Sequence, residues 1–82
     1  KGNYPNPVTQ TTTVQFALPK EEHVVIEVYD ILGRRVKRTV DGTRKPGWHE
    51  IQINADRLAS GVYFYRMKAG SFRTSRKMVV VK

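Results

Sequence analysis

Bulky apolar residues occur at every second position in several short stretches of this chain. In the stretch 12–18 they are Val14, Phe16 and Leu18, and the stretch 24–29 repeats the pattern. Because successive side chains of an extended strand point to opposite faces, this period of two predicts strands with one buried face. Further strands are predicted over residues 35–40, 48–54, 62–67 and 72–81.

Turn-forming residues separate these stretches. Asp30 and Gly33 bound one predicted turn, and Asp41-Gly42 and Pro46-Gly47 bracket a predicted loop. Strands at roughly 8–12-residue spacing with turns between them are typical of an antiparallel sandwich or a small barrel. The sequence therefore predicts an all-β domain.

The same pattern predicts two local details of the fold. In the stretch 35–40, Val36 and Val40 are expected to lie on the same face of the strand. The segment 54–60 is the one stretch that could form a helical turn, with Leu58 directed into the core.

Chain length and composition limit what this domain can be. With 82 residues, 39% of them apolar, the chain can form one compact domain and is too apolar for a disordered tail. It has no cysteine, which excludes disulfides and thiolate zinc sites. Residues 1–7 contain no apolar run of the kind found in a signal peptide, so we expect any export signal to lie outside this sequence.

The charge of the chain is strongly basic. Fifteen Lys and Arg against seven Asp and Glu give a net charge of +8, which favours anionic partners such as nucleic acid, acidic polysaccharide or lipid headgroups. The simpler interpretation is that these charges keep a small sandwich soluble and protect its edges. No nucleic-acid partner is expected, because no recognition motif is visible and Tyr63, Phe64 and Tyr65 are expected to fill the core more than to stack on bases.

No residue pattern in the chain points to catalysis. His23 and His49 are far apart in sequence and stand in no metal-ligand spacing, so both are expected to be strand residues. No nucleophile or phosphate-binding motif is present, and the aspartates Asp30, Asp41 and Asp56 lie at predicted turns or caps. We therefore expect no catalytic residue, no metal and no cofactor.

Four blocks of sequence, in order and over nearly the whole chain, resemble one known family. They are residues 3–7 (NYPNP) followed by Thr12 and residues 14–19 (VQFALP), residues 28–36 (VYDILGRRV), residues 59–66 (ASGVYFYR) and residues 77–82 (KMVVVK). The chain is similar in these blocks to the C-terminal sorting domains of type IX secretion cargo in Bacteroidetes-type bacteria. It also resembles the related Ig-like domain of flagellar hook-capping proteins.

The resemblance implies an Ig-like β-sandwich of about seven short strands, with residues 1–82 forming a single C-terminal sorting domain without catalytic activity. The implied partners are the outer-membrane translocon, a sortase-like peptidase that removes the domain, and an upstream cargo domain of the same chain. Attachment of the cargo to anionic lipopolysaccharide is also implied. The protein would then pass through the periplasm to the outer membrane or cell surface, or be secreted.

The family's recognition residues transfer to this sequence by position. They are Pro5, Pro7, Gly61, Tyr63, Lys77, Met78, Val79, Val80, Val81 and Lys82.

Several of these residues also have structural explanations. The prolines stiffen an extended lead-in, Gly61 allows a backbone turn, and Tyr63 fills the core. Only the ending 77–82 has no evident structural reason, which makes the last strand the most function-specific element.

A different class of function is also compatible with the same pattern. An Ig-like accessory or spacer module, or a module that binds carbohydrate or a surface, would have the same strands, and an exposed Trp48 would provide a platform for sugars. Exposed edge strands leave dimerisation by strand addition open.

Overall fold

A computed structural model of the chain describes residues 3–4 and 11–82. The described residues form seven β-strands and no helix. Because the first strand is only two residues long, six strands build the body of the fold. The strands are β1 (Asn3–Tyr4), β2 (Thr11–Leu18), β3 (Glu22–Asp30), β4 (Arg35–Arg44), β5 (Gly47–Asn54), β6 (Gly61–Ala69) and β7 (Phe72–Val80).

The strands pair into two antiparallel sheets. One has the order β1-β2-β5 and the other the order β4-β3-β6-β7. The facing sheets form an Ig-like sandwich, so the predicted fold class is confirmed. In the larger sheet β3 and β6 are central, and within the described part of the chain β4 and β7 are its edges.

The core lies between the two sheets and consists of the alternating apolar residues. In β3 and β6 every second residue points inward, and Ile26 lies directly across from Met67. Complete burial of a side chain such as Ile26 stabilises the fold by roughly 1.5–3 kcal/mol. The buried apolar residues are Val14, Phe16, Leu18, Val24, Ile26, Val28, Val40, Ile53, Ala55, Tyr63, Tyr65, Met67, Ala69, Met78 and Val80.

The connection between β5 and β6 crosses from one sheet to the other and is held by a tyrosine. The Tyr63 hydroxyl donates a hydrogen bond of 2.8 Å to the carbonyl of Ala59, four residues upstream. This is the geometry of the tyrosine corner found in Ig-like sandwiches. Gly61 begins β6 with φ of +156°, a conformation that residues with a side chain rarely adopt.

The segment 54–60 forms a turn, and no helix occurs in this described stretch. The Leu58 amide donates to the Ala55 carbonyl at 3.0 Å, and the Asp56 amide donates to Asn54 Oδ1 at 2.7 Å. Leu58 is half-buried and packs against the core, as its position in the sequence predicted.

The prediction for β4 was wrong in two respects. Val36 is 42% exposed while Val40 is buried, so the two do not share the core face. The pairing of β3 with β4 shifts register at Thr39 and again at Val36, and each extra residue reverses the alternation of the strand. The expected loop after Val40 is also shorter, because β4 continues to Arg44 and β5 begins at Gly47.

Glu27, on the outer face of β3, holds the irregular strand β4 in place. Its carboxylate accepts hydrogen bonds from the Tyr29 hydroxyl at 2.8 Å, from Arg35 Nη1 at 3.0 Å and from Arg38 Nε at 3.0 Å. The Tyr29 bond, followed by those from Arg35 and Arg38, lowers the pKa of Glu27 from 4.5 to about 2. The ionised carboxylate therefore stabilises the folded state.

Replacing Tyr63 and Tyr65 separately by Phe tests the two hydroxyls against each other. Tyr63→Phe removes the donor of the corner hydrogen bond, so the free energy of unfolding should fall by about 1 kcal/mol. The Tyr65 hydroxyl is buried without a hydrogen-bond partner among the described residues, so Tyr65→Phe should leave stability unchanged or raise it. Urea unfolding measures both, and equal losses would contradict this assignment.

Glu27→Gln tests the ion cluster through its pH dependence. A carboxylate with a depressed pKa contributes its full stabilisation above about pH 4.5 and loses it as the pH falls towards 2. The variant should be less stable than the wild type at neutral pH and should lose less stability on acidification through this window. Thermal unfolding across the window measures the difference, and parallel pH profiles of the two proteins would refute the assignment.

Candidate recognition site at the last strand

The end of β7 lies beside the start of β6, and this pairing gathers most of the sequence-predicted recognition residues. Gly61 lies across from Val80, Tyr63 across from Met78, and Phe64 across from Lys77. Residues from two blocks of the sequence therefore form one continuous patch of the larger sheet. Pro5 and Pro7 lie outside the described residues.

The residues of this patch divide by the face of the strand they occupy. Met78 and Val80 point inward and are fully buried in the core. Lys77 lies on the outer face and is exposed, and Val79, on the same face, is half-buried. Val81 follows the strand and is 47% exposed. The patch thus has an inner side that builds the fold and an outer side that is open to a partner.

Lys82 connects the chain after β7 to the turn between β5 and β6. Its main-chain nitrogen donates to Ser60 Oγ at 3.0 Å, and its Nζ donates to the Asp56 carbonyl at 2.8 Å. These contacts lie at the same corner as the Tyr63 hydrogen bond to Ala59. The chain after β7 is therefore tied to the β5–β6 connection by one side chain and one main-chain amide.

The expectation that the ending 77–82 has no structural reason was therefore wrong for three of its residues. Met78 and Val80 are core residues, and Lys82 binds the β5–β6 turn. Sequence alone could not show the Lys82 contacts, because Asp56 and Ser60 are more than twenty residues away. Lys77 differs from these residues, since it is exposed and forms no ion pair with any residue that the structure describes.

The VYDILGRRV block forms the turn between β3 and β4. The amides of Leu32 and Arg34 donate to Asp30 Oδ1 at 2.9 and 3.0 Å, and Arg34 Nε donates to Asp30 Oδ2 at 2.9 Å. The hydrogen bond from the Arg34 amide is the main cause that lowers the pKa of Asp30. The Arg34 side chain and the Leu32 amide lower this pKa further, while partial burial acts in the opposite direction. Gly33 has φ of +82° in this turn. Asp30, Gly33 and Arg34 thus have structural roles.

A groove of about 480 Å³ opens between β2 and the early part of β7. Its lining includes Phe16, Leu18, Trp48, Met67 and Phe72. Trp48 is 73% exposed, in agreement with the expectation from the sequence. The groove is mainly apolar and lies away from the pairing of Gly61 with Val80.

The two histidines lie on separate strands. His23 and His49 are strand residues, as predicted, on β3 and β5. His23 Nε2 lies 2.8 Å from Asp41 Oδ1, while the His49 ring stacks on Phe16 with 5.4 Å between centroids. Residues 3–4 and 11–82 include no cluster of three His, Cys, Asp or Glu that could hold a metal ion. Nor do they include a helix long and apolar enough to cross a membrane.

Comparison with known proteins identifies the family to which the chain belongs. A family model described as a secretion system C-terminal sorting domain matches residues 3–82. No match was found among curated proteins. The matched family is not catalytic, and its members occur on secreted or cell-surface proteins that carry a cargo upstream of the domain. The chain belongs to the family of type IX secretion C-terminal sorting domains.

Proposed function

We propose that the type IX translocon recognises this domain through the corner where the end of β7 meets the start of β6. The observation that carries the proposal is the pairing of Gly61 with Val80 and of Tyr63 with Met78. This pairing joins two separate sequence blocks into one surface. The single domain, residues 1–82, would act as the sorting signal of its upstream cargo.

The roles of the residues in this surface follow from their burial. Gly61, Tyr63, Met78 and Val80 set the shape of the corner, because they form the backbone turn and the core beneath it. The exposed residues Lys77 and Val81, together with half-buried Val79, are available to contact a partner. Lys82 positions the final residues against the β5–β6 turn. Pro5 and Pro7 are included in the recognition set on the family pattern alone.

Later steps of secretion complete the proposal. After passage through the periplasm and across the outer membrane, a sortase-like peptidase would remove the domain, and the cargo would be released or anchored at the cell surface. The acceptor for anchoring would be an anionic lipopolysaccharide. Support for these steps comes from membership in the family.

A reporter fused upstream of this chain, in a host with the type IX machinery, tests the recognition surface. Deletion of residues 77–82 also removes the core residues Met78 and Val80, so point variants are more informative. Lys77→Ala removes an exposed cation and should change the free energy of unfolding by no more than about 0.5 kcal/mol, while surface display of the reporter falls. Lys45→Ala, another exposed cation, is the matched control and should leave display unchanged.

Surface display and intracellular level of the folded reporter are measured together. Loss of display with a normal level of folded protein supports recognition, whereas loss of both indicates misfolding. If Lys77→Ala, Lys82→Ala and the deletion all reach the surface at the wild-type level, recognition at this corner is refuted.

The groove beside Trp48 favours a second candidate function, that of an accessory module which binds carbohydrate. Exposed aromatic rings beside a groove give sugar rings a flat apolar surface. If this function is correct, a glycan array will show binding by the wild-type chain that Trp48→Ala abolishes while stability is retained. Absence of binding by the wild type would remove this candidate and leave the sorting function unaffected.

A further inference from the structure

The outer face of β6 and β7 carries basic side chains that form no ion pair with residues 3–4 or 11–82. Lys68 of β6 lies directly across from Arg73 of β7. On the same face, Arg66 precedes Lys68 by two residues, and Lys77 lies across from Phe64. We call this surface the basic face, defined by Arg66, Lys68 and Arg73.

Acidic residues are absent from this part of the sequence. Residues 57–82 contain seven Lys or Arg and no Asp or Glu, and residues 1–10 also lack acidic side chains. Two like charges directly opposite on an antiparallel pair destabilise a sheet. The juxtaposition of Lys68 and Arg73 is therefore a cost to folding that no carboxylate of β6 or β7 relieves.

The carboxylate that lies directly across from Arg66 is already occupied. Glu27 lies across from Arg66, but its oxygens accept hydrogen bonds from Tyr29, Arg35 and Arg38. The Arg66 guanidinium instead lies over the Tyr29 ring, 4.7 Å from its centroid. Arg66 is thus held in place by an aromatic ring and keeps its charge available to an external anion.

Apolar side chains on the same face distinguish between kinds of anionic partner. The expectation that Phe64 fills the core was wrong, because Phe64 and Val62 occupy outward positions of β6 and are each 38% exposed. Phe64 lies across from Lys77. A nucleic-acid duplex is bound mainly through its phosphates, whereas the interface of an anionic bilayer accommodates cations at its headgroups and apolar side chains below them. The combination therefore favours a lipid surface.

We propose that the basic face, together with Phe64, docks the domain on a bilayer that presents phosphate-bearing headgroups. The proposal rests on the proposed function in one respect, because an exported sorting domain meets the outer membrane. It adds a surface that adjoins the β6–β7 corner at Phe64, which lies across from Lys77.

Binding of the whole chain to vesicles tests this proposal. The probes are vesicles of phosphatidylcholine alone and vesicles that also contain phosphatidylglycerol. The test variant replaces three residues of the basic face by Gln (R66Q/K68Q/R73Q) and keeps Lys77, which belongs to the proposed recognition corner. The control variant, K20Q/K45Q/R57Q, lowers the net charge equally at exposed positions elsewhere.

The wild type should bind the anionic vesicles and not the neutral ones, with binding that weakens as salt is added. Each basic residue near an anionic surface strengthens binding about fivefold, so the test variant should bind on the order of 100-fold more weakly. The control variant should stay close to the wild type. Equal losses in the two triple variants would overturn the proposal, because net charge alone would then explain binding.

Two further measurements separate the proposal from its alternatives. Phe64→Gln should weaken vesicle binding even at high salt. The opposite outcome is that Phe64→Gln has no effect and that a short DNA duplex at equal phosphate concentration displaces the protein from the vesicles. In that case the partner is a soluble polyanion and the bilayer proposal fails.

The Arg73→Gln variant should unfold at the same temperature as the wild type or higher, since it relieves the repulsion with Lys68. A lower unfolding temperature of this variant would show that the facing charges of Lys68 and Arg73 do not destabilise the fold.

Reporter secretion distinguishes this proposal from the sorting function on which it rests. Vesicle binding by the purified chain does not depend on the translocon, and the Lys77→Ala display assay does not depend on vesicles. Vesicle binding without display would support the docking surface and contradict the sorting role. Display without vesicle binding would support the sorting role and contradict the docking surface.

Discussion

Burial of the apolar layer on β3 and β6 is the interaction on which the rest of this structure depends. These two central strands place Val24, Ile26, Val28, Tyr65 and Met67 side by side against the smaller sheet. The chain has no cysteine and therefore no disulfide to restrict its unfolded state. In a domain of this size the facing apolar layers must supply the stability, because they account for most of the surface removed from water.

The strict alternation of β6 and the end of β7 separates two tasks on the same strands. Inward residues such as Met78 and Val80 build the core, whereas outward residues such as Lys77 and Arg66 are exposed. The outward positions can accumulate charge without disturbing the core, because the two faces of a strand do not share contacts. This separation allows one pair of strands to hold the fold, the proposed recognition corner and the basic face.

The family motifs contain more structural chemistry than their use as a secretion signature suggests. Asp30 closes the β3–β4 turn through two backbone amides, and Gly33 supplies its positive φ. Tyr63 ties β6 to the preceding turn through Ala59. A substitution in these blocks can therefore abolish sorting by unfolding the domain. Exposed Lys77 is better suited to separate recognition from folding.

The amino-acid sequence by itself determined the strands, the all-β class and the inward residues of β3 and β6, because alternation is a local property of an extended chain. Membership in the family was also readable from the sequence blocks, and the match over residues 3–82 confirmed it. Local alternation could not show the register shifts in β4 that expose Val36, since they arise from its pairing with β3. Only the tertiary structure decided that Gly61 meets Val80, that Lys82 binds the Asp56 carbonyl and that Lys68 faces Arg73. These contacts depend on the register between strands and on how the chain ends pack, and that register is set by burial of the whole core.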